Sequence, residues 1–137
     1  MEKINCILLI DDSAADNKYH EIVITDACVC NQIKFAKDGI KALEYILNSA
    51  DPDKKDDYPK ANLIFLDINM PRMNGFEFLE EYHKLDNKIK AEAVIVMLST
   101  SSNPDDRKKA RSFTEVSSFV TKPLSIELVK KLVAEFF

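Results

Sequence analysis

The chain has 137 residues, 46% of them apolar and 31% charged, a balance suited to one domain with its own core and too apolar for a disordered chain. Its formal net charge of -4 argues against general affinity for nucleic acid or anionic lipid, which needs a net basic surface. Cys6, Cys28 and Cys30 have no paired disulfide spacing and read as reduced thiols of a cytoplasmic protein, while the start, Met1-Glu2-Lys3-Ile4-Asn5, lacks a signal-peptide core and no apolar run approaches the roughly 20 residues that cross a bilayer.

Five short apolar runs alternate with segments of helical period, which predicts a parallel sheet covered by helices on both faces. The first strand is placed at 4–10 and ends in the acidic pair Asp11-Asp12. Ser13-Ala14-Ala15-Asp16 then reads as a capping box opening a helix whose inward face is Ala15, Tyr19, Ile22 and Val23. A second strand at 31–36 leads to Gly39 and a helical stripe of Ala42, Leu43, Ile46 and Leu47.

The charged stretch 51–60 reads as a solvated connector, because Asp51-Pro52-Asp53 lacks the turning glycine and closing glutamate of a calcium loop. The third strand, 63–67, ends in Asp67 and is followed by Ile68-Asn69-Met70-Pro71-Arg72-Met73-Asn74-Gly75. Phe78, Leu79 and Tyr82 face inward on the third helix. A fourth strand at 94–98 precedes Ser99 and Thr100, and Asn103-Pro104-Asp105 carries the signals of a helix start, with Ala110 and Phe113 as its apolar residues. The fifth strand, 117–121, leads to Lys122, and the last helix presents Ile126, Val129, Leu132, Val133 and Phe136.

Right-handed crossovers bring the carboxyl ends of all the strands to one edge of such a sheet. Asp11, Asp12, Asp67, Ser99 or Thr100, and Lys122 would therefore meet in one crevice. Singly, each has a bland explanation as a cap, a turn or surface charge. Together they are the parts that phosphoryl transfer needs. Clustered carboxylates either raise a pKa or recruit a cation, and Mg2+ favours one or two carboxylates with a phosphate oxygen. Asp67 could then attack a phosphoryl donor and form an aspartyl phosphate, with Lys122 and a neighbouring hydroxyl partnering the phosphoryl oxygens.

These residues resemble the receiver domains of two-component response regulators, including the stand-alone CheY-like regulators, over essentially all of 1–137 as one domain. The resemblance rests on Asp11-Asp12, on the segment Asp67 to Gly75, and on Lys122-Pro123. It implies a doubly wound α/β fold with five parallel strands in the flavodoxin-like order 2-1-3-4-5.

It further implies that Asp67 is both the phosphoacceptor and a Mg2+ ligand, that Asp12 ligates Mg2+ directly and Asp11 largely through water, and that Asn69 ligates through its backbone carbonyl. Lys122 becomes the phosphate-sensing lysine, followed by a cis bond to Pro123. The switch hydroxyl is Ser99 counting from the apolar run, or Thr100 counting back from Lys122. Ser99 is preferred, because the segment between Phe113 and Phe119 looks one residue longer than usual. Asn69 and Ser101 then tune phosphoryl lifetime, and Phe119 is the aromatic switch, without the hydroxyl of the more frequent tyrosine.

The implied function is a signalling switch, not a metabolic enzyme, that catalyses its own phosphorylation and autodephosphorylation. Its donor would be a sensor histidine kinase or phosphotransfer protein. Its output would be a downstream protein target docking on the fourth helix, fifth strand and fifth helix, with a phosphorylation-dependent homodimer left open. The long acidic loop before the third strand is also similar to that of small phytochrome-associated regulators.

Other readings fit less well. Arg107-Lys108-Lys109-Ala110-Arg111 reads as a solvated helix face, or a docking face, before a nucleic-acid patch. Cys28-Val29-Cys30, His20 and His83 lack zinc spacing. A haloacid dehalogenase needs a second acid where Asn69 stands, and Asp11-Asp12 would repel a flavin phosphate. A pseudo-receiver, acting as a binding module without chemistry, stays as the alternative, although such domains generally lose an acid or the lysine.

Overall fold

Apolar residues fill nearly every position of the inner strands, so both faces of the sheet need cover. In the computed structural model, which describes residues 3–90, 93–100 and 103–137, the elements are β1 (Ile4–Ile10), α1 (Ala14–Ala27), β2 (Cys30–Ala36), α2 (Gly39–Ser49), β3 (Leu63–Asp67), α3 (Gly75–His83), β4 (Val94–Ser99), α4 (Pro104–Arg111), β5 (Val116–Thr121) and α5 (Ile126–Phe136). All strand pairs are parallel, in the order β2-β1-β3-β4-β5. This is the flavodoxin-like topology that the alternation and the resemblance led us to expect.

Side-chain alternation divides the strands between two cores. Leu8, Ile10, Ile64, Leu66, Ile95 and Met97 pack with residues of α2, α3 and α4, including Ile46, Phe78 and Ala110. Ile7, Leu9, Leu63, Phe65, Val96 and Leu98 pack with residues of α1 and α5, including Ile24, Val129 and Leu132. Each fully buried Leu, Ile or Phe contributes on the order of 1.5–3 kcal/mol, and these two layers hold the sheet rigid beneath its upper edge.

Three sequence expectations change. On α1 the buried face is His20, Val23, Ile24 and Ala27, whereas Ala15, Tyr19 and Ile22 are exposed. This face puts Val23, Ile24 and Ala27 into the core, and the buried His20 ring beside them accepts a hydrogen bond from the Leu124 backbone N–H at 3.4 Å. On α2, Tyr45 is buried and Leu47 is exposed, since the Tyr45 hydroxyl reaches the Pro59 carbonyl at 2.6 Å. Ser13 caps α1 by accepting from the Asp16 N–H at 3.1 Å, but Asp16 does not complete a capping box, its carboxylate lying against Lys122.

The connector 51–60 holds a 3-10 turn, Pro52–Lys54, capped by the Asp51 carboxylate, which accepts from the Asp53 N–H at 3.0 Å. Where α3 begins, Asn74 and Glu77 form a reciprocal capping box. The β4–β5 register slips between Ile95↔Val116 and Val96↔Ser118, so Ser117 is an extra residue in β5.

Candidate functional site

β1 and β3 are neighbours, so their carboxyl ends lie side by side and carry Asp11, Asp12 and Asp67 into one place. Ligand atoms of these three carboxylates lie within 4.8 Å of one another. Asp11 and Asp67 are buried and Asp12 is exposed. Such a group repels itself: burial, then the charge of Asp11, push the Asp67 carboxyl up to about 6, with Lys122 only partly offsetting them.

Lys122, from the loop after β5, supplies the counter-charge. Its ammonium donates to Asp11 Oδ2 at 2.7 Å and to Asp16 Oδ2 at 2.9 Å, and stands 3.3 Å from Asp67 Oδ1. Burial works against its charge, but the bonds to Asp11 and Asp16 prevail and hold its pKa above the usual lysine value. The Lys122–Pro123 peptide bond is cis. The Lys122 N–H donates to the Ser99 carbonyl at 2.8 Å, tying this loop to the end of β4.

Ser99 is the last residue of β4, pairs with Thr121 and is buried, whereas Thr100 lies beyond the strand and is exposed. Asn69 is exposed, one residue past the buried Ile68. Phe119 is half-buried in β5 with the Arg107 guanidinium 4.8 Å from its ring centre. Ser101 lies outside the described residues.

Gly75 brings α3 against the back of the site. Its N–H donates to the Ile68 carbonyl at 2.8 Å, and a Cβ at Gly75 would stand 2.5 Å from the Asp67 carbonyl oxygen. Beside it, buried Asp38 caps α2 with one oxygen and receives the Arg72 guanidinium on the other at 2.7 Å. Arg72 has a positive φ of 65°, so the loop after β3 is fastened to the loop after β2 in a conformation side chains rarely adopt.

Sequence reasoning missed three contributions from α1. Asp16 binds Lys122, the Asn17 amide donates to the Asp11 carbonyl at 3.0 Å, and His20 accepts from Leu124. Burial and the charge of Lys122 lower the His20 pKa, which favours the neutral ring that this acceptor role needs. Their spacing, i, i+1 and i+4, puts polar groups on a helix face that an apolar pattern search does not mark.

The donor set fits a hard divalent cation: it is all oxygen, partly buried, and has one carboxyl of raised pKa that a positive charge would relieve. Receiver domains generally bind Mg2+ at an acidic pocket of this kind.

Comparison with known proteins identifies the family. The family model described as "Response regulator receiver domain" matches residues 7–134. The two-component response regulator ARR17 of Arabidopsis thaliana is 33% identical, the match covering 96% of this chain and 84% of that protein. Response regulator Rcp1 of Synechocystis is 28% identical over 93% of this chain and 82% of that protein. Among solved structures, a two component response regulator from Cytophaga hutchinsonii superposes with a TM-score of 0.84 at 26% identity, covering 98% of each chain. The chain belongs to the response regulator receiver domain family, the CheY-like modules of two-component signalling.

Proposed function

We propose that Asp67 accepts a phosphoryl group from the phosphohistidine of a sensor histidine kinase or phosphotransfer protein, and that the phosphorylated domain presents an altered face of α4, β5 and α5 to a downstream protein. The observation that carries this reading is the meeting of Asp11, Asp12 and Asp67 within 4.8 Å, with the Lys122 ammonium 3.3 Å from Asp67.

An Asp67 carboxylate oxygen forms a bond to phosphorus while the bond to the donor's imidazole nitrogen breaks, and that nitrogen leaves with the electron pair. Asp11, Asp12, Asp67 and the Asn69 carbonyl are the groups that would hold Mg2+. When bound, the cation supplies charge neutralisation between the anionic nucleophile and the anionic phosphoryl group. Lys122 pairs with one phosphoryl oxygen, and the Ser99 hydroxyl donates to another. Water later attacks the phosphorus, the bond from phosphorus to the Asp67 oxygen breaks, and inorganic phosphate leaves with the carboxylate restored, at a rate tuned by Asn69 and Ser101.

Ser99 is favoured over Thr100 as the switch hydroxyl by its burial and by the extra residue at Ser117, which displaces a count made backward from Lys122. Movement of Ser99 toward the phosphoryl group vacates space for the Phe119 ring, and the rotation is read by the partner. The domain works as one unit over 1–137, at the cytoplasmic end of a signalling pathway, and homodimerisation of the phosphorylated form is one way its output face is used.

Intact mass after treatment with acetyl phosphate and Mg2+ tests the chemistry. The expected result is one added phosphoryl group on the wild-type chain and none on Asp67→Asn. An unlabelled wild-type chain would favour the pseudo-receiver, and equal labelling of Asp67→Asn would place the chemistry elsewhere.

A further inference from the structure

Lys122 holds one carboxylate more than the phosphorylation chemistry uses. Asp11 and Asp67 belong to the cluster that would hold a cation, but Asp16 does not. It reaches Lys122 from the first turn of α1, and its side chain is 42% exposed, so its charge is well solvated. The three carboxylates together match the three N–H donors of an ammonium.

We propose that Asp16 is a positioning residue for cation binding: it retains Lys122 while Asp11 and Asp67 are given over to a divalent cation. This rests on reading Asp11, Asp12 and Asp67 as the cation site. Lys122 and a cation compete for the same carboxylates. The lysine side chain is only 8% exposed, so it cannot exchange a lost carboxylate freely for water. A buried charge left without a partner is strongly unfavourable. With Asp16 in place, the ammonium keeps an anionic partner as Asp11 and Asp67 turn to the cation. Without it, Lys122 holds those two oxygens more firmly and the cation must displace it.

The rest of α1 serves the same loop. His20 secures the Leu124 N–H, and Asn17 secures the Asp11 carbonyl, so Asp16 stands on a helix fixed at both sides of the lysine.

Loss of the Asp16 charge would weaken cation binding through space even without Lys122, so a double-mutant cycle is needed. Mg2+ affinity is measured by titration calorimetry, since the chain has no tryptophan to report it. Four proteins are compared: wild type, Asp16→Asn, Lys122→Met and the double variant, each checked for a cooperative thermal melt. The expected result is a loss of about fivefold or more in Mg2+ affinity for Asp16→Asn in the wild-type background, shrinking to less than about twofold in the Lys122→Met background. Asp16→Glu, which keeps the charge, should recover most of the affinity.

Unchanged affinity in Asp16→Asn would overturn the proposal. So would a loss as large in the Lys122→Met background, because that is the signature of a through-space charge that the lysine no longer masks. Failure of the wild type to bind Mg2+ would instead overturn the reading of Asp11, Asp12 and Asp67 as the cation site.

Discussion

The conflict at Asp67 is between its burial and its charge, and because burial outweighs the Lys122 ion pair, the residue has a pH dependence opposite to that of an aspartate whose pKa a salt bridge lowers. Its pKa rises from 3.8 to about 6 in the folded chain, so between these values the folded state holds a proton that the unfolded state has released. The unfolded state binds fewer protons there, and stability falls as pH rises through that window. The strain is on the order of 2–3 kcal/mol at pH 7. Asp67→Asn, nearly the same shape without the charge, should therefore be more stable than wild type at pH 7 in the presence of a chelator, with the advantage mostly gone near pH 4. Urea unfolding at both pH values measures it. An advantage independent of pH would mean that the gain has another cause.

The start of α3 decides how closely a helix can approach Asp67. An alanine in a helix is ordinarily favoured over glycine by about 1 kcal/mol. At Gly75 the sign reverses, because the added Cβ would meet backbone, at 2.5 Å from the Asp67 carbonyl oxygen and 3.1 Å from Ile68 Cα, and neither can yield without moving the site. Gly75→Ala should cost about 1–3 kcal/mol and slow phosphorylation about tenfold or more. Gly39→Ala, whose Cβ would have Met73 side-chain atoms as its nearest neighbours, from 2.7 Å, and no backbone among them, should affect phosphorylation far less. Urea unfolding and initial rates with acetyl phosphate separate the two variants. Equal behaviour would show that the approach of α3 does not set the position of Asp67.

Across the molecule, order follows the sheet. β1, β3 and β4 are flanked on both sides by strands and lie almost wholly out of solvent, whereas β2 and β5 form the edges and are partly exposed. Backbone amides of the inner strands should exchange only with global unfolding, and those of β2 and β5 through smaller openings. Hydrogen exchange followed by mass spectrometry tests this; earlier exchange of Leu9 or Phe65 than of Phe119 would contradict it. The acidic ends of β1 and β3 thus rest on inner strands, while Phe119, with its Arg107 contact, sits on an edge strand.

The alternation of apolar runs with helical segments was enough to determine the layers, because each strand's burial depends on its own residues and their two-residue period. The motif at Asp67, with Asp11-Asp12 and Lys122, was equally legible, since the carboxyl ends of parallel strands share one edge whatever the detailed packing. The rotation of α1 was not legible: Tyr19 and Ile22 look more core-like than His20, and only the distant Leu124 N–H makes burying an imidazole favourable. Nor was the role of Asp16, whose partner is 106 residues away. Local pattern fixes what a residue can do within its own element, but which polar groups meet across elements depends on helix rotation and loop placement, and those are set by the whole fold.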